Sequence, residues 1–365
     1  MADIPSFGAY LSPSLLSHLQ YQLRPVPGID GLMGLDVNEG SCLETPEALR
    51  FLCEVYDRVK GRLNHVLEQR MKDRLFVDER TRACASLNTS LGIDFLDPEY
   101  ATVIGQEDEE GRIVMGPKFP GYNRGPAEAP DETEGCRREP VAPIPSFLQG
   151  PHVTLFGPPD DAKLCVNAMN AYHRKLPGEP PVVEELLALH TSVPKWGADD
   201  EDSKTPMHED LVSAALNLGG CFDKSITFDD PKSGKHYKLA EDKLSVPIKR
   251  FPGLALPCTF LFYRGFNPIP LHLYDFALHM FHHWKNPEAL AFYVPKLENE
   301  EEAAYVRYFV EVTEQLLVKM HPGQFSVGTV RLLIVLENPR AIFRIHEIMD
   351  ELYPYFAGAS LGWHG

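Results

Sequence analysis

The sequence predicts an α/β fold built around a parallel sheet, either a β/α barrel or a doubly wound sheet. The closing stretch from Gly328 carries a strand, an acid, a helix and a second strand, in that order. From Pro143 onward, strand-like segments alternate with helical segments of about ten or more residues. Since parallel strands need long crossover connections, both observations favour a parallel sheet.

The first part of the chain predicts an extended arm followed by one long helix. Residues 1–43 are interrupted by Pro and Gly. Thr45 is a suitable N-cap, and Pro46 suits the first helical position. Apolar residues then recur at helical spacing, which predicts a packed helix to about Arg74: Leu49, Leu52, Tyr56, Val59, Leu63 and Leu67. Residues 106–142 are rich in Pro, Gly and charge and predict a linker.

Beyond the linker, the pattern alternates between strands and helices. The predicted strands are VTLFG, AKLCVNA, KWGA, LSVPI, TFLFY and AFYVPK. The predicted helices run from His208 to Leu218, from Leu271 to Trp284 and from Asn299 to Met320. Asn299 and Glu302 fit a capping box at the start of the last of these.

The closing unit combines a buried strand with a capped helix. Leu332 to Leu336 form an apolar run, Glu337 follows it, and Asn338 and Pro339 predict a helix start. One apolar face is predicted for that helix: Ile342, Ile345, Ile348, Met349 and Leu352. Gly358 to Gly362 predict a final strand.

Composition excludes several classes of partner. The net charge of −17 and the pI near 5.3 argue against nucleic acid and anionic membranes. The seven cysteines form no CxxC pair, which is typical of reduced thiols inside a cell. No apolar run approaches the ~18 residues of a membrane span.

Charged residues follow three predicted strands, where β/α folds keep their reacting groups. Asp199, Asp200, Glu201 and Asp202 follow KWGA, Lys296 follows FYVP, and Glu337 follows LLIVL. One or two acids at strand ends suit Mg²⁺. For the 199–202 run, a solvated loop is an equal alternative. For Glu337, a functional role is favoured over a solvated loop, because a charge that ends an apolar strand must be paired or liganded.

Other motifs predict less. His279, His282 and His283 have a spacing that zinc can use, but no Cys or acid nearby completes a set, so a packed or surface helix face is preferred. The sequence contains neither a GxGxxG nor a GxxxxGKS phosphate loop. Gly358 to Gly362 match GxSxG, but they lie within the predicted final strand rather than at the strand-to-helix turn of a nucleophile elbow, so serine-hydrolase chemistry has no support.

Several ordered segments resemble malate synthase of the shorter A-type, the glyoxysomal and bacterial form. They are ETPEALRFLCEVYDR, VAPIPSFLQGPHVTLFGPPDDAKLCVNAMN, ADDEDSKTPMHEDLVSAALNL, GKHYKLAEDKLSVPIKRFPG with LYDFALHMFHH, FYVPKLENEEEA and GTVRLLIVLENPRAIFRIHEIMDELYPYFAGASLGW. The resemblance implies an N-terminal arm and helical clasp over residues 1–105, a linker over 106–142, and a partial TIM-type barrel over 143–365.

The resemblance also implies condensation of acetyl-CoA with glyoxylate to malate and CoA, with Mg²⁺ as Lewis acid. Glu337 matches the metal-binding glutamate, and Arg250 matches the first arginine of the family's RPRGWH. Asp200, Glu201 and Asp202 match the acidic ADFEDS segment that lines the site, and Lys296 matches a strand-end lysine. The implied compartment is the peroxisomal or glyoxysomal matrix or the cytoplasm.

The sequence also departs from that family. Pro252 stands where RPRGWH has its catalytic arginine, the GRWD motif becomes Gly362-Trp363-His364-Gly365, and residues 171 to 195 resemble an insertion. The family's last barrel strands and its base-bearing domain have no counterpart. A shortened product, a non-catalytic acyl-CoA-binding or interaction paralogue, and a CoA-thioester C–C lyase therefore stay open. An open barrel edge predicts either a non-standard closure or association with another chain, including self-association.

Overall fold

The computed structural model describes residues 22–35, 42–86, 106–107, 113–115, 142–149, 154–175, 177–189, 192–204, 207–265 and 267–362. Most of the predicted linker lies outside the described residues, as do Trp363, His364 and Gly365. Within the described ranges, no helix combines the length and apolar character needed to cross a membrane.

The helices match most of the predicted ones in position. They are α1 (Pro46–Ser86), α2 (Ala162–Met169), α3 (Pro181–Leu189), α4 (His208–Phe222), α5 (Leu271–His283), α6 (Glu300–Met320), α7 (Pro339–Phe343) and α8 (Ile345–Glu351). Short 3₁₀ turns cover Ser146–Leu148, Ala171–His173 and Pro287–Leu290.

The strands form several separate sheets. They are β1 (Arg24–Pro25), β2 (Leu32–Gly34), β3 (Gln106–Glu107), β4 (Ile113–Met115), β5 (Thr154–Gly157), β6 (Lys195–Ala198), β7 (Thr227–Asp229), β8 (His236–Lys238), β9 (Val246–Arg250), β10 (Pro257–Tyr263), β11 (Asn267–Pro270), β12 (Ala291–Val294), β13 (Arg331–Leu336) and β14 (Phe356–Leu361). β1, β2, β10 and β11 make an antiparallel sheet, and the pairs β3–β4 and β7–β8 stand alone.

The main sheet has six strands in the order β14-β13-β12-β9-β6-β5. The pairs β5–β6, β6–β9 and β9–β12 are parallel. The sheet curls into a half barrel, so the fold is mixed α/β and consistent with an incomplete TIM-type barrel. The predicted parallel sheet is thereby confirmed, whereas the N-terminal clasp stays a prediction.

The chain divides into two compact units. The first unit comprises Met1–Tyr56, Pro143–Pro295 and Thr313–Leu333, and the second comprises Asp57–Ala142, Lys296–Val312 and Ile334–Gly365. In the first unit, every residue of β6, β9 and β12 is buried. One buried cluster packs α2 and α4 against this sheet: Cys165, Val166, Met169, Trp196, Ala198, Leu218, Cys221, Phe222, Ile226 and Ala289.

Local capping signals determine several helix starts as predicted. The Thr45 Oγ1 accepts the N–H of Ala48 at 3.2 Å, and the Asn338 side chain accepts the N–H of Arg340 at 2.9 Å. Asn299 Oδ1 accepts the N–H of Glu302 at 3.0 Å. These side chains satisfy N–H groups that have no partner inside the helix.

The strand prediction for AKLCVNA is wrong, because this segment forms α2. Asp161 caps the helix by accepting the N–H groups of Lys163 at 2.8 Å and Leu164 at 3.1 Å. Cys165, Val166 and Met169 are its buried residues. That spacing of one and four residues suits a helix rather than an alternating strand.

The closing helix is interrupted rather than continuous. Arg344 separates α7 from α8, with φ −109° and ψ 21°. Its guanidinium binds the buried Glu300 carboxylate at 2.5 and 3.1 Å. Ile342 is 53% exposed, so the single apolar face predicted for this helix is wrong at that position.

Candidate active site

The strand register brings the ends of β6, β9 and β12 to one edge of the sheet. Ala198 pairs with Lys249, and Arg250 pairs with Tyr293. Asp199, the first residue after β6, therefore lies beside the last two residues of β9. Parallel strands place their carboxyl ends at the same edge, which is where β/α folds keep their reacting groups.

The acidic segment after β6 is folded back on itself. Asp199 Oδ1 accepts the N–H groups of Glu201 at 3.1 Å and Asp202 at 3.0 Å. Asp199 and Asp200 are buried, while the Asp202 side chain is 51% exposed. For its first two residues, the segment is therefore not a solvated loop.

Arg250 holds three of these carboxylates. Its Nη1 donates to both oxygens of Asp199 at 2.8 Å, and its Nη2 lies 3.0 Å from Glu201 and 2.8 Å from Asp202. Burial alone would lower the pKa of Arg250, but the carboxylates, Asp199 above all, raise it above its usual value. The guanidinium therefore stays charged and fixes the geometry of the segment.

Lys249 forms a second buried ion cluster with Asp200 and Asp275. Its Nζ lies 3.0 Å from Asp200 Oδ2 and 2.9 Å from Asp275 Oδ1. Burial opposes the charge on Lys249, but the two carboxylates outweigh it and raise its pKa. Burial raises the pKa of Asp275 to about 7, although Lys249 partly offsets this rise.

Three buried polar atoms of these clusters have no hydrogen-bond partner among the described residues. They are Asp200 Oδ1, Asp275 Oδ2 and Arg250 Nε. A buried polar atom without a partner is costly unless water or a ligand meets it. The clusters therefore keep acceptor and donor capacity beyond their own ion pairs.

An aromatic pair lies next to these acids. The rings of Phe156 and Tyr293 meet edge to face, with centroids 5.3 Å apart. A Cβ at Gly197, on the strand between them, would lie 2.5 Å from the Phe156 ring. Gly197 therefore permits this ring packing. Burial and the neighbouring Asp199 raise the pKa of Tyr293 well above its usual value.

The loop after β9 also supports the acidic segment. The N–H of Gly253 donates to Glu201 Oε2 at 2.7 Å. Pro252 and Gly253 are both buried. Proline has no N–H and no polar side chain, so position 252 offers no donor to a substrate.

In the second unit, Glu337 and Lys296 are brought together. The N–H of Lys296 donates to Glu337 Oε1 at 2.5 Å. Lys296 has a φ of 57°, a left-handed conformation that is uncommon outside glycine. Gly362 packs against Glu337, because a Cβ there would lie 3.1 Å from the Glu337 Cβ and 2.7 Å from Val335.

A network of arginines holds the turn that carries Lys296. Arg70 donates to the Lys296 carbonyl at 3.1 Å and to both oxygens of Glu302 at 2.7 Å. Arg340 links Glu298 at 3.0 Å to Asp73 at 2.7 Å. The unusual backbone at Lys296 is thus fixed by charge-assisted hydrogen bonds from two elements.

Magnesium fits Glu337 only as a single carboxylate ligand. Its Oε1 accepts the backbone N–H, which leaves Oε2 for a hard cation. Among the described residues, no group of three His, Cys, Asp or Glu side chains could hold a metal ion. Mg²⁺ tolerates this donor set, since it often takes one or two carboxylates and completes its shell with water and substrate oxygens.

The three histidines in the second half of α5, His279, His282 and His283, serve packing. His279 Nε2 bonds to the Ala289 carbonyl at 2.8 Å, and His282 Nε2 bonds to the Leu43 carbonyl at 2.7 Å. Burial lowers the pKa of His279 well below its usual value and that of His283 to about 4. Of the two predicted alternatives, a packed or a surface helix face, these contacts agree with the packed one.

Comparison with known proteins points to one family. No protein-family model matches the chain. It is 29% identical to malate synthase of Streptomyces clavuligerus over 324 residues, 87% of this chain and 47% of the relative. It is 28% identical over 225 residues to malate synthase A of Escherichia coli K12, 60% of this chain and 36% of the relative. A third relative is the glyoxysomal malate synthase of Brassica napus, 29% identical over 50% of this chain and 33% of the relative.

The chain is related to the malate synthases. It spans about half the length, or less, of these malate synthase relatives. The resemblance seen in the ordered segments is thereby confirmed at the level of the family.

Lys249 and Asp275, which the structure brings to the acidic segment, are two candidate site residues that were not predicted from the sequence. Lys249 lies in a wholly buried strand, and Asp275 lies inside the apolar helix α5. A charge within an apolar run must find a partner when it is buried. The physical reason that makes Glu337 a candidate at a strand end therefore applies equally to Lys249 and Asp275 inside their elements.

Proposed function

We propose that this chain has a malate synthase-like function, the condensation of acetyl-CoA with glyoxylate. The observation that carries the proposal is the match to malate synthase over 87% of the chain. In this reaction the acetyl methyl group loses a proton and forms a C–C bond to the aldehyde carbon. Water then releases CoA, which leaves malate. The glyoxylate cycle, and a peroxisomal or cytoplasmic compartment, follow as parts of the proposal.

Arg250 is the proposed catalytic cation of the first unit. It is charged, and its Nε–H has no hydrogen-bond partner among the described residues. An enolate oxygen formed from the acetyl thioester is an acceptor of the kind that such a donor stabilises. Asp200, Glu201 and Asp202 would line the site in the geometry that Arg250 and Gly253 impose.

Glu337 is the proposed ligand of magnesium in the second unit. Lys296 would orient it through its backbone N–H, since a fixed carboxylate loses less freedom on binding a cation. When bound, magnesium would supply Lewis-acid polarisation of an aldehyde oxygen. The domain division into residues 1–105, 106–142 and 143–365 and association through a sheet edge belong to the same proposal.

A second candidate is an acyl-CoA-binding protein without condensing activity. Two observations favour it: Pro252 offers no donor, and both Nη atoms of Arg250 are engaged by carboxylates. Removal of one oxyanion-type donor costs about 10²–10³ in rate, so this candidate differs from the first in turnover rather than in binding.

Thiol release by purified protein with acetyl-CoA, glyoxylate and Mg²⁺ separates the two candidates. The condensing enzyme requires both substrates for release and loses it in Glu337→Gln. The binding protein releases no thiol, yet acetyl-CoA raises its melting temperature. If the protein shows neither thiol release nor thermal protection at millimolar acetyl-CoA, both candidate functions are refuted.

A further inference from the structure

The first unit contains an open cavity of about 550 Å³ that is lined by basic side chains. His173 and Arg174 come from the turn after α2, and Lys235 and Lys238 come from the β7–β8 hairpin. This local excess of positive charge contrasts with the chain as a whole, whose net charge is −17.

The cavity lies near the amino-terminal end of β9, whereas the acidic segment lies at the carboxyl ends of the strands. The N–H of Ser245, directly before β9, donates to the Met169 carbonyl at the end of α2 at 2.7 Å. The cavity therefore lies near the start of β9, whereas Arg250 and the acids lie at its end. A strand of this length spans about 16 Å. This exceeds the Debye length of about 8–10 Å at physiological salt, so the acids do not neutralise the cavity.

Asn170 fixes the wall between helix and hairpin. Its Nδ2 donates to the Lys238 carbonyl at 2.9 Å, and its Oδ1 accepts the N–H of Ala240 at 2.9 Å. The backbone that presents Arg174 and Lys238 is thus tied together before any ligand binds. Preorganisation of this kind lowers the entropy cost of binding.

Arg174, Lys235 and Lys238 are available, whereas His173 Nε2 is engaged by Asp242, whose carbonyl oxygen lies at 2.8 Å and whose Oδ1 lies at 3.7 Å. Within the described part of the chain, the Arg174 and Lys238 side chains have neither a hydrogen-bond nor an ion-pair partner. Lys235 lies over the Tyr237 ring at 4.6 Å, a contact that leaves its charge uncompensated. The nearby Asp230 is paired with Lys163 at 2.9 Å. Asp230 is therefore already paired, and Asp229 in the same hairpin lies 2.7 Å from His236.

We propose that this cavity binds a small anion that carries two or more phosphate groups. Arginine matches phosphate oxygens with two parallel N–H bonds, and lysines add point charges around them. The volume suits a small molecule. The site is independent of the proposed condensation, because none of its residues belongs to the acidic segment or to the Glu337 turn.

Isothermal titration calorimetry tests this proposal with inorganic pyrophosphate and, separately, with adenosine diphosphate. Saturable binding with one site per chain is expected. Equal affinities mean that phosphates alone are recognised, and tighter binding of adenosine diphosphate means that a nucleotide is the ligand class. Arg174→Glu should lower the affinity for either ligand at least tenfold, because a charge-assisted hydrogen bond is lost and a charge repulsion is added.

Lys319→Glu is the matched control, because it makes the same charge change on an exposed residue that does not line the cavity. It should leave the affinity within about twofold, and circular dichroism should show both variants folded. Absence of saturable heat with both ligands overturns the proposal. So does an equal loss in the control, which would mean general attraction to a basic surface.

Discussion

Buried charge is the main feature of the site at the scale of residues. Lys249 is shared between Asp200 and Asp275, and Arg250 is shared among three acids. Desolvation of such ions is costly, and close opposite charges offset that cost only while every partner is present. The clusters are therefore sensitive to loss of a single member.

Replacement of Lys249 by Met should strongly destabilise the fold. Asp200 and Asp275 would remain buried without their cation, and breaking such a pair costs about 3–5 kcal/mol. Chemical denaturation measures the change in the free energy of unfolding. Lys224→Met is the control, because Lys224 pairs with Glu288 at the surface, where an ion pair contributes about 0–1 kcal/mol. Equal losses in both variants would contradict the buried cluster.

Asp275 should make stability depend on pH. Its pKa is raised to about 7 in the fold, against about 3.9 in an unfolded chain. The folded state therefore binds the proton more tightly. Its contribution to stability is full below about pH 4 and is lost as the pH rises through 7. The free energy of unfolding of the natural protein minus that of Asp275→Asn should therefore fall by a few kcal/mol between pH 4 and pH 7.

Denaturation of both proteins at several pH values measures this difference. Groups such as His283, whose pKa is lowered to about 4, titrate in both proteins and cancel in the comparison. A difference that stays constant from pH 4 to pH 7 would mean that Asp275 titrates at its ordinary value.

At the scale of elements, the sequence predicts features that depend on neighbouring residues, such as helix caps. It does not predict features that depend on residues far away in the chain. Thr45 and Asn338 were predicted as caps because a cap depends on residues within one turn. The helix α2 was missed, although Asp161 caps it, because its short apolar run suits a strand as well. The break at Arg344 depends on Glu300, which lies 44 residues away in the chain, so no local pattern indicates it.

The approach of β5 to β6 gives a prediction of its own. Gly197→Ala places a Cβ 2.5 Å from the Phe156 ring, so the ring must move and its contact with Tyr293 must change. Overpacking of this kind costs about 1–3 kcal/mol. Gly157→Ala is the matched control, since a Cβ there meets nothing within 4 Å. Thermal unfolding compares the two, and equal melting temperatures would contradict the described packing.

At the scale of the whole molecule, the fold class followed from alternation of elements, and the family followed from segments in order. The location of Asp200, Glu201 and Asp202 after a strand follows from the sequence pattern, because strand ends meet at one edge of a parallel sheet. Arg250 is indicated only by the family resemblance, and the functional roles of all four residues stay predictions. The ion-pair partners were not anticipated. Pairing of Arg250 with Asp199 depends on the register of β6 against β9, which the sequence does not specify.

The malate synthase-like function rests on whether this chain forms the C–C bond. The most direct measurement is mass-spectrometric detection of labelled malate from acetyl-CoA labelled in its acetyl group, with glyoxylate and Mg²⁺. Malate should form only with all three present and should fall at least about 100-fold in Glu337→Gln, since a metal ligand is lost. The exposed control Glu209→Gln should keep full activity. Absence of labelled malate from folded protein, or equal malate from Glu337→Gln, would contradict the proposed function.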